Sequence, residues 1–101
     1  MIRVRINETE REWTEINPSW INEQIDGRRK DGESICIVVR VKKGDINVIL
    51  SAGDCPPPNA SGERPNQHER EVFDLWDQIG VCSLPINSGK LVAFLRRASR
   101  I

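Results

Sequence analysis

The alternation of apolar and polar side chains sets out most of the elements. In "IRVRI", Ile2, Val4 and Ile6 alternate with Arg3 and Arg5, the period of a strand with one buried face. "NETEREWTE" is too polar to assign, with Trp13 and Ile16 as its anchors to a core. "NPSWINEQIDGRRKDG" predicts a helix. Asn17 is a suitable cap and Pro18 stands at the first helical position, where a missing N–H costs nothing. Ile21 and Ile25, four apart beside Trp20, form a narrow apolar face, and Arg28, Arg29 and Lys30 suit the last turn before Gly32. Gly27 weakens the pattern.

"ESICIVVRVKKGDINVILSAGD" predicts a hairpin: Ile35 to Val41 outward, a turn at Lys43-Gly44-Asp45, and Ile46 to Leu50 back. The connection from the first strand to the second contains a helix, so parallel pairing through a crossover is the expectation. "NQHEREVFDLWDQIG" predicts the clearest helix, with Asn66 as cap, Glu69 completing a capping box, and Val72, Phe73, Leu75, Trp76 and Ile79 on one broad face ended by Gly80. "SGKLVAFLRRASRI" predicts a closing helix capped by Ser88, with Leu91, Leu95 and Ala98 inward, helped by Phe94 or Val92. The expected fold is α+β: a small three-stranded sheet in the order β-α-β-β-α-α, with helices on one face.

Composition narrows the class. One domain over residues 1–101 is the expectation for this length, and such a chain can bury roughly two-thirds of its unfolded surface without disulfides or metal. No apolar run approaches a membrane span, and "MIRVRINETE" lacks a signal-peptide pattern. Cys36, Cys55 and Cys82 are odd in number and form no close pair, a poor disulfide framework. These points lead to a cytoplasmic location as the expectation. With 15 basic and 15 acidic residues the net charge is zero, which removes a global drive toward nucleic acid or membrane. The charge is nonetheless segregated. Glu8 to Asp26 is mainly acidic, whereas Arg28 to Lys43 and Lys90 to Arg100 are mainly basic.

Candidate chemistry is sparse. Gly89-Lys90 is not a phosphate-binding loop, since Leu84 stands where the first glycine would be and Leu91 where Ser or Thr is needed. Cys36, Cys55, His68 and Cys82 have the residue types of a zinc site but not its paired spacing, so no metal or cofactor is expected. Cys55 or Cys82 beside His68 would suit thiol chemistry, though nothing in the spacing requires their approach. The proline run Pro56 to Pro58, the soft "NASGE" and Pro65 read as a connector more than as a proline-rich ligand.

If Ile2, Val4 and Ile6 face the helices, Arg3 and Arg5 face away, joined by Cys36, Val38, Arg40 and Lys42 from the second strand and by Asn47 and Ile49 from the third. The candidate binding residues are therefore Arg3, Arg5, Val38, Arg40, Lys42 and Ile49, an apolar middle with a basic rim. The alternative is that Trp13 and the N-terminal segment cover this face. The absence of aromatic residues from it weighs against single-stranded nucleic acid. The leading expectation is a non-enzymatic protein-interaction or regulatory module, with a protein partner or a homodimer. A thiol- or metal-dependent enzyme using Cys55, His68 and Cys82, and a weak nucleic-acid binder through the basic face, are the alternatives.

"WINEQIDGRRKDGESICIVVRV", the strand ending "LSAGDC", "RPNQHEREVFDLWDQIGV" and "GKLVAFL" together resemble a group of small bacterial proteins, many of them cyanobacterial, over Trp20 to Leu95. The resemblance implies a fold and no activity. It implies structural roles for Arg64, Asn66, Glu69 and Trp76 as cap, first turn and core. This chain departs from the group at Pro56 to Pro58, where a glycine run is expected.

Overall fold

A computed structural model describes residues 1–54, 67–83 and 85–100. Four strands form one antiparallel sheet: β1 (Ile2–Ile6), β2 (Thr9–Glu12), β3 (Cys36–Lys43) and β4 (Ile46–Gly53), in the spatial order β2-β1-β3-β4. The helices are α1 (Pro18–Asn22), continued through a π-helical turn (Glu23–Gly27) into α2 (Arg28–Lys30), then α3 (Gln67–Ile79) and α4 (Ser88–Ala98). The α+β class agrees with the sequence pattern. The strand count differs.

The unforeseen strand is β2, "TERE". Its period is regular, but both sets of side chains are polar, so no hydrophobic alternation marks it. It pairs with β1 through Ile6↔Thr9 to Arg3↔Glu12. This strand also corrects the expected parallel pairing, because β1 and β3 run antiparallel, from Ile2↔Val41 to Ile6↔Ile37. The crossover exists, but it begins one strand later. β2 returns the chain to the end where β1 began, and the helical segment then carries it across to β3. Thus β2 and β3 run the same way with β1 between them.

Burial follows the expected alternation on the three longer patterns. Ile2, Val4 and Ile6 of β1, Ile37, Val39 and Val41 of β3, and Val48, Leu50 and Ala52 of β4 all enter one core with Ile21, Ile25, Val72, Trp76, Leu91, Phe94 and Leu95. Trp76 and Phe94 meet edge to face with ring centroids 4.9 Å apart, a favoured aromatic geometry. Ile16 is buried and Trp13 packs against the same core, so Trp13 serves as the expected anchor. Phe73, expected on the apolar face of α3, is instead 39% exposed. Helical spacing places it one position past the buried Val72, off the inner stripe.

Two local assignments also shift. Asn87, not Ser88, caps α4: its Oδ1 accepts from the N–H of Lys90 at 2.9 Å. The Ser88 hydroxyl is free to turn inward, donating to Asp26 Oδ2 at 2.7 Å. The β3–β4 turn has Gly44 at φ 60° between the paired Lys43 and Ile46, a two-residue hairpin whose first central residue favours glycine. The capping role of Asn66, and the connector Cys55 to Pro65, lie outside the described residues.

Candidate functional site: the outer face of the sheet

Antiparallel register assembles the outward side chains into rows across the strands. One row reads Glu12, Arg3, Arg40, Ile49, and the next reads Glu10, Arg5, Val38, Ser51. Lys42 and Asn47 form a third at the hairpin end. The six candidate binding residues Arg3, Arg5, Val38, Arg40, Lys42 and Ile49 therefore lie together on one face. Arg5, Arg40 and Lys42 are exposed, Arg3 and Val38 are half-buried, and Ile49 keeps 42% of its surface. No sheet residue on this face belongs to the core, and Trp13, which could have covered it, packs against the core instead.

The sequence reading missed the acidic border. Glu10 and Glu12 stand opposite Arg5 and Arg3, and Glu10 reaches Arg3 Nε at 3.6 Å. Strict alternation in "TERE" next to "IRVRI" is the signal that would have found it. The face thus runs from acidic through basic to apolar. Among the described residues, Arg5, Arg40 and Lys42 take part in no ion pair of their own. Arg40 lies directly opposite Arg3, a like-charge cross-strand pair, which is unfavourable where nothing neutralises it.

The cysteines divide. Cys36, expected to behave as a small apolar strand residue, is disulfide-bonded, which corrects the reading of the three cysteines as an unpaired set. Cys82 carries a free thiol. Its sulfur accepts from the indole N–H of Trp76 at 3.1 Å and its S–H donates to the Ser51 carbonyl at 3.4 Å. The buried indole thereby has a partner, and the connection after α3 is tied to β4. Cys55 and the side chain of His68 lie outside the described residues. Among the described residues no group of His, Cys, Asp and Glu could hold a metal ion.

Among the described residues, depressions also lie away from this face. Glu71, Asp74, Leu75, Gln78 and Arg97 line a shallow groove between α3 and α4. Ile2, Val41, Lys42, Lys43, Ala98 and Ser99 line a smaller cleft at the hairpin end of the sheet. The first mixes acidic and basic groups around the single apolar Leu75. The second adjoins the outer face through Lys42. Among the described residues no helix is long and apolar enough to cross a membrane.

Comparison with protein-family models, with curated proteins and with solved structures gives no match. The resemblance to small bacterial proteins accordingly contributes nothing further to the site.

Proposed function

We propose that the chain is a single-domain, non-enzymatic protein-interaction module that works through the outer face of its sheet. The observation that carries this reading is Ile49. An isoleucine 42% exposed, with Val38 diagonal to it and Arg40 opposite it, gives an apolar centre with a charged rim, the anatomy of an interaction surface. A heterologous partner suits the face better than a second copy. Stacking two such faces would bring the exposed cations Arg5, Arg40 and Lys42 of both chains together.

The enzymatic alternative depends on Cys55 and the side chain of His68, which lie outside the described residues, and on Cys82, whose sulfur is already engaged by Trp76. The nucleic-acid alternative has the basic residues, but it lacks an aromatic platform on that face and has Glu10 and Glu12 along its border. The bond at Cys36 is of a kind that persists mainly in oxidising compartments, and a cytoplasmic location is not proposed. The proposal therefore concerns the surface and not the compartment.

A photo-crosslinking residue placed at position 49 in cells tests the reading, with position 96 on the exposed side of α4 as control. A discrete adduct from position 49 that position 96 does not give is expected. Adducts from position 96 alone would overturn it.

A further inference from the structure

Resting on that reading of the outer face, we infer that the partner presents an acidic segment that carries carboxylates and apolar side chains together on one side. Arg3 and Arg40 stand directly opposite each other on β1 and β3. Opposed residues of adjacent antiparallel strands have Cα atoms roughly 4.5–5.5 Å apart. Arg3 is partly satisfied by Glu10. Arg40 has no such neighbour: Arg3 lies on one side, Ile49 on the other, and Lys42 comes next on its own face of β3. The fold thus holds the exposed cations Arg40 and Lys42 in mutual repulsion on one surface, with the exposed Arg5, whose cross-strand neighbour is Glu10, diagonal to Arg40. A carboxylate seated among them removes that repulsion and gains charge-assisted hydrogen bonds from guanidinium groups.

The apolar half of the chemistry comes from the same rows. Ile49 adjoins Arg40 and Val38 adjoins Arg5, so each free arginine has an apolar neighbour one strand spacing away, about 4.8 Å. A ligand with acidic groups alone would leave Ile49 in water. One with apolar groups alone would bury the arginines unpaired, which is costly. Acidic and apolar side chains two positions apart in an extended segment share one side and meet both demands. A nucleic acid meets only the first, and its evenly charged backbone would be repelled by Glu10 and Glu12 on β2.

The test uses an acetylated, amidated peptide of sequence Glu-Ser-Val-Ser-Glu-Ser-Val, whose Glu and Val share one side when extended, titrated into the whole protein while backbone amide shifts are followed by NMR. Shifts centred on Arg5, Val38, Arg40, Lys42 and Ile49 are expected, with affinity falling as salt rises. Arg40→Glu should weaken the affinity about tenfold or more, whereas Arg40→Lys should retain most of it. Arg40→Glu also replaces a like-charge pair with an opposite-charge one, so its melting temperature should rise by about 2–4 °C. A purely structural role for Arg40 would not produce loss of binding together with gain of stability. The same peptide with Ser in place of both Val should bind several-fold more weakly than the Glu–Val peptide.

Failure of the Glu–Val peptide to shift these amides overturns the inference, and so does equal binding by wild type and Arg40→Glu. Saturable binding of an oligothymidine on the same residues, without peptide binding, overturns it in favour of nucleic acid. Absence of peptide binding with a position-49 adduct still present in cells would reject the acidic segment while leaving the interaction face intact.

Discussion

At the scale of single residues, Asn7 does more than its place in a turn suggests. It adopts φ 54°, a conformation that asparagine tolerates better than most residues. Its backbone N–H donates to the Cys36 carbonyl at 2.8 Å, its Oδ1 accepts from the Cys36 N–H at 2.8 Å, and its Nδ2 donates to the Ser34 carbonyl at 3.2 Å. One side chain thus fastens the β1–β2 turn to the start of β3. Asn7→Ala should cost about 1–3 kcal/mol in urea unfolding, and Asn7→Gly less, because glycine keeps the conformation and loses only the side-chain bonds. Equal losses in the two variants would mean that backbone conformation contributes nothing. Cys82 offers a second case. Cys82→Ala leaves the Trp76 indole N–H without its partner and should cost about 1–2 kcal/mol, while Cys82→Ser restores most of that. An alanine variant as stable as wild type would show that the contact is dispensable.

At the scale of elements, the helical segment from Pro18 to Lys30 is joined to α4 by a polar clamp. Asp26, within the π-helical turn, accepts from the Ser88 hydroxyl at 2.7 Å and from its N–H at 3.3 Å. Arg29 donates to the Ile86 carbonyl at 2.9 Å and lies 3.9 Å from Asp26. Ser88 is 3% exposed, so its hydroxyl needs this acceptor. A carboxylate at the first turn of α4 also suits the positive end of the helix dipole. The π-helical turn widens the helix locally, holding one more residue per turn than the standard i→i−4 ladder, and Asp26 projects from it. Asp26→Ala and Ser88→Ala should each cost about 1–2 kcal/mol, with a coupling of about 1 kcal/mol in the double-mutant cycle. Additive losses would show that the two side chains do not act as a pair.

At the scale of the whole molecule, the disulfide and the association state are the properties to measure. Peptide mapping without reductant should recover the Cys36 peptide only in a linked pair, separating after reduction. Alkylation of Cys36 in unreduced, denatured protein would contradict the bond. Sedimentation across a range of concentrations should give the mass of one chain for wild type and for Val38→Glu alike, given the cations concentrated on the outer face. A dimer that Val38→Glu dissociates would make a second copy the occupant of that face.

The sequence by itself determined what depends on local periodicity. The alternation of Ile2, Val4 and Ile6 and of the Ile35–Val41 run chose the buried face of each strand, and with it the outward set Arg3, Arg5, Val38, Arg40, Lys42 and Ile49. Helical spacing likewise predicted most of the core contributed by α3 and α4. Only the tertiary structure decided pairing. β2 was invisible because its alternation is between polar residues, and its presence reversed the direction of β3 relative to β1. Register, which no single strand encodes, set Glu10 beside Arg3 and left Arg40 facing Arg3 without a carboxylate. A strand's own residues specify which side is wet. The charge each one meets there is set by its neighbours across the sheet, and these come from distant parts of the chain.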